Sequence, residues 1–314
     1  MSYLREIEYA YSKKIYLELL KILLIDRTTG RNIIWGTEDY EYLGSSYHSH
    51  YEISVELISG VNHNIIQPRI FKTKDRRGNR TKGKAEVFTP AWLCNKQNNL
   101  IDEAWFGRQN VFNKSLDNKW ITNEEKIGFS DNKDKSWQNY VDERRLEVAC
   151  GEAPYLVSRY DSVTGRHIKL NERIGLLDRK MRIVSENTLT EAEWLKWTER
   201  AYQSIYGFEF QGDNLFLARE NMLLSYVEYT ESKLRRIPSE KELLNIAKII
   251  SWNIWQMDGL TNTIPYQVAK EQYEQISIFG MSQEKASFSY CTIKDWRSKK
   301  ITEFRKLMES GDKS

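Results

Sequence analysis

Three carboxylates stand where a strand-like run gives way to a turn. They are Glu147 in "RLEVACGEAPYLVSRYD" (residues 145 to 161), Glu209 in "YGFEFQGDNLFLAREN" (residues 206 to 221) and Asp258 in "IISWNIWQMDGL" (residues 249 to 260). An ionised acid at the carboxyl end of a strand can accept two hydrogen bonds from the vicinal hydroxyls of a ribose, and Glu209 fits that role. In the first stretch Gly151 and Ala153 are small enough for a ligand to approach the backbone, where the N-terminus of the following helix presents free N–H groups. The competing reading is that Gly151 serves the turn alone. Cys150 has no paired base in the sequence around it, so it reads as a small packing residue and not a nucleophile.

The elements that must position these acids are legible in outline. "RLEVAC" alternates apolar and charged residues as a strand does, "GEAP" breaks the pattern, and "YLVSRY" predicts the start of a helix. "IYGFEF" predicts a second strand ending near Glu209, with "NLFLARENMLLSYV" as the helix that follows, and the run ending at Asp258 predicts a third. Repetition of strand, turn and helix implies an α/β core, placed at residues 86–270. Ahead of it lies a helical and basic region, residues 1–85, and behind it a short C-terminal extension, residues 271–314. Apolar residues at helical spacing from Tyr3 to Ile25 predict an opening helix, and "NIIWG" and "YEISVELI" favour short strands. Residues 110–137, rich in Asn, Asp, Lys and Ser, read as a polar excursion with a hairpin around Trp120.

Charge and composition narrow the function classes. The chain has 314 residues with 47 basic and 44 acidic side chains, a net charge of +3, so affinity for nucleic acid must come from a local patch. One candidate is "RIFKTKDRRGNRTKGK", residues 69 to 84, which carries eight Lys or Arg against one Asp. It is either a solvated loop or a phosphate-binding arm made of Lys72, Lys74, Arg76, Arg77, Arg80, Lys82 and Lys84. Three widely spaced cysteines without a C-x-x-C argue against a zinc site and for a reducing, cytoplasmic setting. No secretory signal or membrane-spanning run is expected. His48 and His50 lack a nearby third metal ligand, and Glu124 with Lys126 and Glu231 with Lys233 match half of a nuclease motif that is common by chance. Trp194 and Trp197, three apart on an expected helix, read as core or interface anchors.

Beyond chemistry at single positions, the stretches carry a resemblance. "EVACGEAPYL" resembles the first motif of S-adenosylmethionine-dependent adenine-N6 DNA methyltransferases, D-P-A-C-G-S-G-x-F-L, with Glu147 in place of Asp and Ala149, Cys150 and Gly151 matching. "GFEFQGDNLFLAREN" is similar to the second motif, and "AEVFTPAWL" (residues 85 to 93) to the segment that precedes the first. With "RIGLLDRKMRIVSEN" and "SWNIWQMDGL", they look like short bacterial proteins of the restriction endonuclease subunit M kind over most of residues 65 to 260. The resemblance implies a Rossmann-like methyltransferase fold. It further implies S-adenosylmethionine held by Phe88, Thr89, Pro90, Glu147, Ala149, Cys150, Gly151 and Tyr155 around its methionine end, Glu209 on the ribose and Asp258 on the adenine. DNA and the other subunits of a restriction-modification or defence complex would be the partners.

The sequence departs from that family at the catalytic tetrapeptide (D/N/S)-P-P-(Y/F), whose polar side chain and proline carbonyl accept the amino hydrogens of a flipped-out adenine while the aromatic ring stacks on it. The nearest string is "NTIPY", which offers Asn262, Pro265 and Tyr266 without the first proline. Two expectations therefore stand: a methyltransferase with an altered or partner-completed catalytic motif, or a noncatalytic methyltransferase-like module that binds DNA or a partner.

Overall fold

A computed structural model describes residues 10–72, 89–130, 133–267 and 290–311. The chain is mixed α/β with a small parallel sheet. Helix α1 (Lys13–Leu24) starts at Ser12, whose hydroxyl accepts from the Ile15 amide, and buries Ile15, Leu19 and Leu23 along one stripe. A short helix α2 (Val55–Ile58) follows, then α3 (Ala91–Phe106) and an antiparallel hairpin of β1 (Asn113–Leu116) and β2 (Lys119–Thr122). The hairpin turns at Asp117, which takes the left-handed conformation (φ 42°), and Trp120 donates its indole N–H to the Glu172 carbonyl at 2.9 Å.

After α4 (Trp137–Asp142) come β3 (Arg145–Glu147), α5 (Leu176–Asn187), α6 (Glu191–Gln203), β4 (Ile205–Glu209), α7 (Gly212–Leu234), α8 (Glu240–Asn253) and β5 (Ile254–Gln256). The three strands pair in parallel in the order β3, β4, β5, with Glu147 opposite Gly207 and Glu209 opposite Gln256. Every residue of the central β4 is buried, which explains why it reads as a continuous apolar run and not an alternating one. A second hairpin, β6 (Thr292–Lys294) with β7 (Ile301–Glu303), leads into α9 (Phe304–Gly311). Its Cys291, Ile293 and Phe304 pack on Tyr206, Phe208 and Trp255 of the sheet. The main core joins α1 and the segment around Trp35 to Leu176, Ile205, Leu215 and Ile254, so the N-terminal elements share their interior with the sheet.

Several local expectations differ from the structure. "YLVSRY" is not helical: the segment from Gly151 to Arg173 contains turns and one short 3-10 stretch, and the next α-helix begins at Leu176. The carbonyls of Tyr155 and Leu156, which a helix would use internally, accept instead from the Leu176 and Leu177 amides. Asp178 takes the Ser158 amide at 2.8 Å, and the Arg159 guanidinium is held by Glu228 at 2.7 Å. Long-range polar contacts thus outweigh a modest helical propensity. "IISWN" belongs to α8, and only Ile254–Gln256 is strand. "NIIWG" and "YEISVELI" form isolated bridges, Ile25 with Asn32 and Ile34 with Glu52, followed by α2, in place of strands.

Candidate functional site

The parallel order places the carboxyl ends of β3, β4 and β5 side by side, and with them Glu147, Glu209 and, two residues beyond β5, Asp258. From β3 the chain enters a tight loop in which Ala149 (φ 50°), Gly151 (φ 53°) and Ala153 (φ 63°) take positive φ and the residues between them do not. For alanine the left-handed region costs roughly 1–3 kcal/mol, strain that persists only where surrounding contacts enforce it. Those contacts are present. The Cys150 amide donates to the Phe208 carbonyl at 2.8 Å, the Ala153 amide to the Cys150 carbonyl at 2.7 Å, and the Gly151 amide to Glu209 Oε2 at 2.8 Å. Glu209 is therefore the anchor of the loop as well as an acid at its mouth; its Oε1 accepts from the Gln211 amide at 3.1 Å.

Glu147 is 9 % exposed. Its Oε1 receives a long hydrogen bond of 3.4 Å from the Tyr155 amide, while its Oε2 is buried with no hydrogen-bond partner among the described residues. Burial pushes its carboxyl well above the usual range; the Tyr155 amide partly opposes that rise, and the neighbouring Glu209 charge adds to it. An orphaned, buried carboxyl oxygen at the carboxyl end of a parallel sheet is a position where a bound donor or cation would be stabilised.

The "TP" segment reaches the same place. Pro90 precedes α3, whose first amide, Ala91, donates to Asp161 Oδ2 at 2.8 Å, and the Thr89 carbonyl accepts from the Ser162 hydroxyl at 2.8 Å. Gln97 on α3 accepts from the Tyr155 hydroxyl, and Asn98 Nδ2 donates to the Tyr155 carbonyl at 3.0 Å. Thr89, Pro90, Glu147, Cys150, Gly151, Tyr155 and Glu209 thus converge. Asp258 lies beside them, because the Met257 amide donates to the Glu209 carbonyl at 3.0 Å; its Oδ1 is used by the Leu260 amide at 2.9 Å. Cys150 is 1 % exposed and burial raises its thiol well above the ordinary value, in keeping with an inert packing residue.

Phe88 and the arm residues Lys74, Arg76, Arg77, Arg80, Lys82 and Lys84 lie outside the described residues. Lys72 does not offer its charge to a polyanion: its ammonium is buried against Asp213 at 2.9 Å, and Asp213 also accepts from the Tyr40 hydroxyl at 2.8 Å. Asn262 and Tyr266 both take the left-handed conformation in the turn after Asp258, Pro265 is buried, and Tyr266 is 41 % exposed. His48 pairs with Glu41 and His50 packs on Tyr266; no cluster of three metal-ligating side chains occurs among the described residues. Trp194 is buried in the core, and Trp197 stacks edge-on with Trp137.

Three residues that shape the mouth carry no sequence signal. Gln256, on β5, donates from Nε2 to the carbonyls of Ile34 (2.9 Å) and Phe210 (2.8 Å) and accepts at Oε1 from the Ile34 amide (2.8 Å). It clamps the N-terminal segment onto the end of β4. Glu152 accepts from the Arg69 amide at 2.7 Å and from the Tyr160 hydroxyl at 2.5 Å, tying the loop to the other end of that segment. Phe210 follows Glu209 and meets Tyr266 edge-on. A cleft of 680 Å³ opens elsewhere, walled by Phe112, Arg179, Arg182, Tyr229 and Lys233. None of the residues predicted to hold cofactor, base or DNA lines it, although Glu124 and Lys233 of the nuclease half-motifs do, and its Arg179 guanidinium is already bound by Asp102, Asn95 and Asn99. No helix among the described residues is long and apolar enough to cross a membrane. No protein-family model, curated protein or solved structure matches the chain.

Proposed function

We propose that the protein is a DNA adenine-N6 methyltransferase-like subunit of a restriction-modification or defence system, binding S-adenosylmethionine at the mouth formed by Glu147, the 149–153 loop and Glu209 on a Rossmann-like core. The observation that carries this reading is the orphaned Oε2 of Glu147, buried beside a strained, amide-rich loop and one strand away from a second acid. The residues fit the cofactor chemically. Glu147 offers an acceptor to its cationic methionine end, and the Glu209 carboxylate offers acceptor oxygens to ribose hydroxyls. Asp258, two residues beyond the third strand, would accept from the adenine amino group. When bound, the cofactor supplies an electrophilic methyl group on its sulfonium sulfur. The protein's part is to hold and orient it and to keep water from the loop.

A second reading is favoured by the catalytic segment: "NTIPY" lacks the first proline, and Pro265 is buried. In that reading the module binds cofactor or DNA without transferring a methyl group. Titration calorimetry with S-adenosylmethionine tests the first step. Saturable binding to the wild type, lost in Glu209→Ala and weakened in Glu147→Ala, is the expected result. Heat that is the same for wild type and both variants would refute the assignment of the mouth. Incubation with labelled cofactor and duplex or single-stranded DNA then separates transfer from binding alone.

A further inference from the structure

The N-terminal segment supplies an aromatic ring to the same mouth. His50 and Tyr266 are 216 positions apart in sequence, yet their ring centroids lie 4.0 Å apart at an interplanar angle of 48°. Phe210 also meets Tyr266 edge-on, their centroids 5.4 Å apart at 81°. Tyr266 occupies the left-handed region (φ 66°), which a bulky side chain rarely adopts, and keeps 41 % of its surface exposed. The turn that presents it is fixed from below. Thr263, fully buried, accepts from the Asp258 amide at 2.8 Å and donates from its hydroxyl to the Gln267 carbonyl at 3.2 Å, and the adjacent Asn262 carbonyl accepts from the Cys291 amide at 3.0 Å.

The segment that carries His50 is fixed as firmly. A Cβ on Gly36 would stand 2.6 Å from the Phe210 carbonyl oxygen and one on Gly212 2.0 Å from that of Ile34, so the two backbones touch directly. The Trp35 amide pairs with the Tyr51 carbonyl at 3.0 Å, next to His50. Two rigid backbones thus bring His50, Tyr266 and Phe210 together beside Glu209. An exposed, strained tyrosine steadied by rings from two other segments is a stacking platform, and the planar ligand that suits it is an unstacked nucleobase.

We infer that His50 is a positioning residue that sets the Tyr266 ring for stacking on a nucleobase, which makes the N-terminal segment part of the base-binding site. This rests on the proposed function in that the base would lie beside the cofactor mouth. The test compares binding of a short oligodeoxyadenylate with binding of the same sugar-phosphate backbone lacking bases, by fluorescence anisotropy, for wild type, His50→Ala, His50→Phe, Tyr266→Ala and the His50→Ala/Tyr266→Ala double variant. His50→Ala should bind the oligodeoxyadenylate about tenfold more weakly, in the range of one lost aromatic–base contact. Binding of the abasic strand should not change. His50→Phe should restore binding, and the double variant should lose no more than Tyr266→Ala alone, because His50 acts through Tyr266.

Unchanged oligodeoxyadenylate binding in His50→Ala, equal losses on both strands, additive losses in the double variant, or a wild type that does not distinguish the strands would each overturn the inference. Calorimetry with S-adenosylmethionine on the same samples keeps the two proposals apart. A wild type that binds no cofactor refutes the cofactor assignment, whereas cofactor binding with an unaffected His50→Ala refutes only the role of His50.

Discussion

Replacing Glu147 with Gln should make the protein more stable, and increasingly so as pH rises. Glu147 has one oxygen weakly bonded to the Tyr155 amide and the other buried without a partner among the described residues, and burial holds its carboxyl well above the usual range. A carboxyl whose folded pKa exceeds its unfolded value keeps its proton more tightly in the fold. Its contribution is therefore full below the ordinary glutamic acid value and is lost as pH rises through the folded value. Glutamine retains the acceptor for Tyr155 and carries no charge to desolvate, so the pH-dependent part of the penalty disappears, while its amide N–H groups stay as unpaired as Oε2.

An unsatisfied buried group costs about 1–3 kcal/mol, more when charged. Glu147→Gln should accordingly gain about 2 kcal/mol over wild type at about pH 9 and much less at about pH 5, which corresponds to roughly 3 °C in midpoint at the higher pH. Urea unfolding of both proteins at the two pH values measures the difference directly. A gap that does not widen with pH, or a variant less stable than wild type at the higher value, would refute the argument that Glu147 is an uncompensated buried acid. If S-adenosylmethionine binds here, its cationic end relieves the same penalty, and saturating cofactor should narrow the gap.

Further outcomes follow from packing and polar satisfaction. Gly212→Ala places a methyl group 2.0 Å from the Ile34 carbonyl oxygen, a backbone atom that cannot swing aside; the variant should lose about 3 kcal/mol or more and expose residues 33–36 to limited proteolysis. Asp102→Ala strips the buried Arg179 guanidinium and the Tyr140 hydroxyl of their shared acceptor and should cost about 3–5 kcal/mol in urea unfolding. Cys94, Cys150 and Cys291 are buried, with thiols pushed up chiefly by burial; an aromatic disulfide reagent at mildly alkaline pH should leave the native protein unlabelled and modify all three only after denaturation.

Patterning local in sequence carried much of the site. The apolar run before Glu209 and the helical period after it define β4 and α7 because a buried central strand and the helix covering it each leave a distinct signature within a few residues. The hairpin at Trp120 and the placement of Glu147, Glu209 and Asp258 at adjacent strand ends were legible for the same reason. The boundary between α8 and β5 was not, since a buried helix end and a buried strand are both simply apolar.

What only the tertiary structure decided is where backbone groups and charges find partners far away in the chain. The loop from Gly151 to Arg173 stays irregular because its carbonyls and side chains are satisfied by α5 and α7. Lys72 belongs to Asp213 instead of a solvated arm. Ile34 is joined to Gln256 across 222 positions, and His50 to Tyr266. Hydrogen bonds and ring contacts of that span leave no periodicity in the sequence, because their geometry exists only once hydrophobic burial has brought the sheet, α1 and the N-terminal segment into one core.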